Sequence, residues 1–253
     1  MSRPAGDPPR PIRGRHRPPR HGPAARQPRR HWSLLRKGSV FLVATIVGSM
    51  LIRAFLLQAF YIPSGSMEPT LHGCQGCAGD RVLVNKLIDH IGGVHRGDIV
   101  TFRDPGGWLM HGFAAPQTQS GVNNALVFLG LAPESGAGDL IKRVIGVGGD
   151  TVEGRAGTVY VNGIRLEEPY VFPGDSSSEI DFKVTVPVGN LWVMGDHRSE
   201  SGDSRFQQQA PGKGFVPLKD VVGRAFAISS PLSRIGLLDR PATFDQIDAT
   251  PQH

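Results

Sequence analysis

The rhythm of apolar and polar positions changes sharply along this chain. Residues 1–37 are rich in Arg and Pro and almost devoid of apolar side chains. Such a segment buries no core, so 1–37 is predicted to be a disordered tail. Residues 38–62 form a nearly unbroken apolar run, 25 residues with one charge at Arg53. That length suits a helix spanning a bilayer. Fifteen uncharged residues precede Arg53. At 1.5 Å each they cover roughly 23 Å of a ~30 Å hydrocarbon core, so Arg53 is expected to snorkel to the outer headgroups. Residues 54–62 would then lead along the interface. Past residue 62 the pattern shortens to β-branched runs separated by Gly, Pro, Asn and Asp. Segments 81–84, 98–102, 158–161, 182–186, 191–194 and 221–228 read as strands. Asn162-Gly163 is a strong hairpin signal. Residues 104–139 look like a loop-rich insert with a short helix over 124–131. The resulting expectation is a catalytic-sized, mostly β body over 63–238, behind one N-terminal transmembrane helix, with 239–253 as a C-terminal tail.

Charge supports that division. The chain carries +6 overall, but residues 1–37 hold ten Arg, one Lys and one Asp. The basic excess therefore belongs to the tail, and the remainder is mildly acidic. An Arg tail can bind nucleic acid. Ahead of an apolar run it more simply fixes topology, with the N-terminus cytoplasmic and the β body outside. Arg29-Arg30 before an apolar run also fits a cleaved twin-arginine export signal. The length of the run, Arg53 within it and the lack of Ala-x-Ala after it favour a retained anchor. Nucleic acid is not expected as a partner. Cys74 and Cys77 are the only cysteines. A zinc site needs about four ligands, and His72 alone does not complete one. A local disulfide or two structural thiols is the preferred reading.

Three segments carry candidate chemistry. Pro63-Ser64-Gly65-Ser66-Met67-Glu68-Pro69-Thr70-Leu71 follows the apolar run directly. Two prolines stiffen it while Gly65 permits a sharp turn. A rigid turn can present the Ser66 hydroxyl and aim backbone N–H groups at an oxyanion. Lys142 stands in Leu140-Ile141-Lys142-Arg143-Val144-Ile145. Serine needs a base to remove its proton, and burial can lower a lysine by up to ~3–5 pKa units, enough to serve. Alternation sends Ile141 and Arg143 to one side of a strand and Lys142 and Val144 to the other. A solvated charge pair on an edge strand is the plain alternative. The third segment runs Gly195-Asp196-His197-Arg198-Ser199-Glu200-Ser201-Gly202-Asp203-Ser204-Arg205. It reads either as a solvent loop or as a polar network that orients the base.

In this order, behind a single anchor, these segments resemble the type I signal peptidase family of bacteria, membrane-bound serine/lysine proteases. The resemblance covers residues ~38–235 by motif order. It implies an antiparallel β fold and removal of signal peptides from exported preproteins after small residues (Ala-x-Ala). It implies Ser66 as nucleophile, Lys142 as general base, and Ser64 with the Ser66 N–H as oxyanion hole. Ser201 would orient Lys142, and Asp203, Arg205 and Arg143 would be structural groups beside the site. Phe60, Ile62, Leu140 and Ile141 fall where the family builds apolar pockets for the P1 and P3 side chains. No metal or organic cofactor is implied. The expected partners are preproteins and membrane lipid, and the expected state is a monomer at the cell membrane. The competing enzyme reading is a Ser-His-Asp hydrolase using Ser66 or Ser201, His197 and Asp203. The non-enzyme reading is an anchored β-rich binding module.

Overall fold

The computed structural model describes residues 30–55, 57–74, 79–87, 93–108 and 138–249. The tail over 1–29 and the expected helix at 124–131 lie outside the described residues. Helix α1 covers Arg30–Phe55. It begins ahead of the expected boundary at 38 and ends well before 62. Val40, Phe41, Leu42 and Val43 on it are exposed apolar side chains. Among the described residues no helix is long and apolar enough to cross a membrane. Part of the expected span, residue 56 and the side chains of 49–57, lies outside the described residues.

Residues 57–61 are not an interfacial lead. They form strand β1 (Leu57–Tyr61), antiparallel to β2 (Arg81–Asn85) with Ala59 opposite Leu83. Phe60 and Ile62 are buried. A short apolar run serves a strand or a helix equally well, so composition alone could not divide 38–62 correctly.

Among the described residues two antiparallel sheets make up the body. The larger contains β1, β2, β3 (Ile99–Arg103), β4 (Asp139–Val147), β9 (Asn190–Met194), β10 (Val216–Pro217), β11 (Val221–Ser230) and β12 (Gly236–Leu237). Its order is β1-β2-β11-β3-β4-β9-β10, with β12 on β11. The smaller contains β5 (Thr151–Arg155), β6 (Thr158–Val161), β7 (Ile164–Arg165) and β8 (Phe182–Thr185), ordered β7-β6-β5-β8. Asn162 and Gly163 turn β6 into β7 with φ of +53° and +79°. Positive φ at both central residues is what a type I′ hairpin requires.

Strand β4 is central, hydrogen-bonded to β3 on one side and β9 on the other. Its residues from Ile141 to Gly146 are all buried. Lys142-Arg143 is therefore not a solvated pair on an edge.

Residues 239–249, part of the expected tail, are not a tail. Helix α2 (Thr243–Asp248) sets Phe244 and Ile247 into the core beside Val152, Val159, Tyr170 and Trp192. Its polar side carries Asp245 and Asp248, both paired with Arg240. Two apolar residues in a short charged segment give almost no periodic signal, which is why sequence reading released it. The start of the 104–139 insert is also packed. Trp108 lies edge-on to Phe102 at 5.6 Å, and the Asp104 carboxylate accepts the N–H groups of Gly106 and Trp108.

Candidate active site

Strand β1 delivers the chain into a 3₁₀ turn at Gly65–Met67. The turn is pinned from below because Met67 and Leu71 are fully buried with Phe60, Ile62 and Ile141. Two backbone bonds close it, Glu68 N–H to Gly65 O and Leu71 N–H to Met67 O, each 2.9 Å. Ser66 is thereby held on a rigid corner with only 3% of its surface exposed.

Lys142 reaches that corner from β4. Its Nζ lies 2.7 Å from Ser66 Oγ, across 76 residues of sequence. The amine is buried, and burial is the main reason its pKa falls from 10.5 to about 8. Asp203 and Asp196 oppose the fall, and Arg205 adds slightly to it. A displacement of that size is worth about 3 kcal/mol against the protonated form. The fold thus spends stability to hold, next to a hydroxyl, an amine that gives up its proton far more readily than an ordinary lysine. Ser64 Oγ stands 3.3 Å from Ser66 Oγ on the same turn.

The buried charges around the pair are well neutralised. Arg143, next to the lysine on β4, grips Asp196 with Nε to Oδ1 at 2.8 Å and Nη2 to Oδ2 at 2.6 Å. Its Nη1 donates to Gly97 O at 2.9 Å, and Thr70 Oγ1 donates to Asp196 Oδ2 at 2.5 Å. Arg205 holds Asp203 through Nε to Oδ1 and Nη2 to Oδ2, both 2.9 Å, and Gly195 N–H donates to the same carboxylate at 3.0 Å. Burial pushes the Asp203 carboxyl up, but Arg205 and the Gly195 N–H more than offset it and hold it below its usual value. Both pairs are almost fully buried, where bidentate geometry matters most.

The 195–205 segment meets the serine turn backbone to backbone. His197 N–H donates to Ser66 O at 3.2 Å. A Cβ on Gly195 would sit 2.4 Å from Ser66 O and 2.2 Å from Ser201 Oγ, so only glycine allows the approach. The Ser201 hydroxyl is buried beside the Asp203 carboxylate, which it helps to hold below its usual value, and it makes no hydrogen bond to Lys142 in this arrangement. The His197 ring stacks on Phe172 at 4.0 Å, with a buried Nδ1 that has no partner. That ring is engaged with Phe172 rather than with a serine or Asp203, which removes the geometry a Ser-His-Asp triad needs.

Of the four expected pocket residues, Phe60, Ile62 and Ile141 share one apolar cluster with Met67. Leu140 does not join them. It packs against Val100, Phe102 and Val144 on the opposite side of β4, as alternation along a strand requires.

Sequence reading missed several supports of the serine turn. Asp80 accepts Arg234 Nε at 3.0 Å and the His72 N–H at 2.8 Å, while Arg234 Nη2 donates to Thr70 O at 3.1 Å. Gly97 and Tyr170 flank Arg143, the latter with its ring 4.2 Å from the guanidinium carbon. These contacts join residues more than a hundred positions apart in places, and no local pattern encodes them. Cys74 is disulfide-bonded, and Cys77, the chain's other cysteine, lies outside the described residues.

Comparison with known proteins identifies a family for the chain. The family model described as signal peptidase, peptidase S26, matches residues 34–230. A signal peptidase I of Mycobacterium tuberculosis (strain CDC 1551 / Oshkosh) is 40% identical, over 81% of this chain and 76% of its own length. A probable signal peptidase I of Mycobacterium leprae (strain TN) is 37% identical, over 81% of this chain and 79% of its own. A signal peptidase I of Leptolyngbya laminosa is 34% identical, over 88% of this chain and 92% of its own. With a match across most of its length, the chain belongs to the signal peptidase family, peptidase S26, whose members are serine endopeptidases.

Proposed function

We propose that this chain removes signal peptides from exported preproteins, with Ser66 as nucleophile and Lys142 as its general base. The observation that carries the reading is the 2.7 Å approach of the buried Lys142 amine to the Ser66 hydroxyl. The neutral amine takes the Ser66 proton as Oγ bonds to the scissile carbonyl carbon, and the carbonyl electrons move onto oxygen. The Ser66 N–H and the Ser64 hydroxyl, 3.3 Å from Ser66 Oγ, are the donors for that oxyanion. The ammonium returns its proton to the leaving amine as the C–N bond breaks. Lys142 then deprotonates a water that attacks the acyl-enzyme, and Oγ departs with the proton. Asp196 with Arg143 and Asp203 with Arg205 are structural pairs that keep net charge near the amine small. Ser201 orients Lys142 in this reading.

In this reading Phe60, Ile62 and Ile141, buried together next to the serine turn, shape the pockets that take small side chains at P1 and P3, with cleavage after Ala-x-Ala. An extended substrate segment would bind by backbone bonds, leaving selection to these pockets. The apolar stretch of α1, exposed at Val40 to Val43, is a membrane anchor in this reading. The arginines ahead of it keep the N-terminus cytoplasmic, and the β body faces outward as a monomer. Sharing one membrane with the substrate raises effective concentration without new contacts.

The test is a purified full chain incubated with a labelled preprotein, wild type beside Ser66→Ala. Wild type is expected to release the mature protein cut after a small residue. Ser66→Ala should yield none, a loss of at least ~10³-fold. Equal product from both proteins would reject Ser66 as nucleophile.

A further inference from the structure

Helix α2 touches both supports of Arg143. The Phe244 ring stacks on Tyr170 at 6.2 Å and 17°, and Tyr170 lies under the Arg143 guanidinium at 4.2 Å. The same ring presses on Gly97, where an added Cβ would come within 2.6 Å of it. Gly97 O is the acceptor of Arg143 Nη1 at 2.9 Å, and Gly97 N–H is bonded to Val144 O at 2.7 Å. Phe244 therefore backs the cradle of Arg143 from two directions. Polar contacts hold it there. Arg240 Nε donates to Arg96 O at 2.5 Å, Arg240 also pairs with Asp245 and Asp248, and Arg96 bridges Asp248 and the fully buried Asp150.

We propose that the C-terminal segment from Arg240 to Asp248 is a positioning element of the active site, with Phe244 as the wedge that fixes Arg143 and so the strand carrying Lys142. It rests on the reading of Lys142 as the base. The charged and titratable groups facing that base are Asp203, Asp196 and Arg205. Those facing Arg143 are Asp196, Tyr170 and Arg198, with Glu168 behind Arg198 and Tyr170. If the wedge is withdrawn, Arg143 loosens and Asp196 loses part of its neutralising partner. The freer Asp196 charge favours the Lys142 ammonium, leaving less free base at a given pH.

The test uses the purified full chain and three variants, Phe244→Ala, Phe244→Leu and Asp248→Asn. Measured quantities are kcat and KM on a preprotein, the acid limb of kcat/KM against pH, and the melting temperature. Phe244→Ala is expected to lower kcat ~10-fold or more with KM within ~2-fold, since small misplacements cost this much. Its acid limb should move upward by at least ~0.5 pH unit, as a less neutralised Asp196 near the amine dictates. Phe244→Leu, which restores most of the volume, should recover most of both. Asp248→Asn keeps the wedge and loosens one latch, so it should show the same changes at smaller size. That variant decides the matter if Phe244→Ala does not fold. A lowered melting temperature with kcat and the acid limb unmoved overturns the proposal and makes the segment structural only. Failure of the base reading is separate, because it would appear as full activity of Lys142→Ala.

Discussion

Lys142→Ala is expected to lower kcat/KM for a preprotein by at least ~10³-fold while leaving the melting temperature equal to or above that of the wild type. General-base removal alone is worth ~10²–10⁴ in rate. Here the loss should approach the upper end, because among the described residues no other amine or imidazole is bonded to Ser66 Oγ. The stability sign follows from the pKa. A lysine held at about 8 in the fold and near 10.5 when unfolded works against folding wherever it is protonated. That penalty is fully present below pH 8 and is relieved as pH rises from 8 towards 10.5. Deleting the amine removes it, though the cavity left behind takes some of the gain back. Lys142→Arg should be equally inactive, since a guanidinium stays charged at any working pH. Activity of Lys142→Ala within tenfold of wild type would remove lysine from the mechanism.

The second large effect falls on stability. Asp196→Ala is expected to destabilise the body by about 3–5 kcal/mol, because it leaves the Arg143 guanidinium buried and unpaired. Arg143 is 1% exposed, and Asp196 supplies both oxygens of its bidentate pair. Thr70 Oγ1 loses its acceptor in the same variant, which loosens the loop just past Ser66. For a body of this size the melting temperature should drop by roughly 6–20 °C. Replacing both partners together with apolar residues should cost much less than removing the aspartate alone. A melting temperature within ~2 °C of wild type for Asp196→Ala would show that the pair is not stabilising this region.

How far the sequence revealed this molecule depended on whether each signal was local. The Ser66 turn was legible because prolines, a glycine and two small polar residues occupy one short stretch. Lys142 was legible only through the order of its segment among the others, since alone Lys142-Arg143 reads as a solvated pair on an edge strand, and the turn at Asn162-Gly163 follows from backbone sterics. Strand β1 was hidden because its apolar residues continue those of α1 without a break. Helix α2 was hidden because only Phe244 and Ile247 mark it. The face of Leu140 was already implied by alternation with Lys142, yet it was grouped with Ile141 on the strength of adjacency. Asp80 with Arg234 and Arg96 with Asp150 could not be foreseen, since only the closed sheet brings them together.

The central claim is that burial brings the Lys142 amine beside Ser66 close enough to neutral pH in its titration to supply free base there. The direct measurement is an NMR titration of the lysine side chains in the purified full chain, with the Lys142 signal assigned by its loss in Lys142→Ala. The expected midpoint is about 8. A midpoint near ~10.4, the ordinary value for a free lysine, would mean a protonated amine beside the serine, and the lysine could not then act as its base.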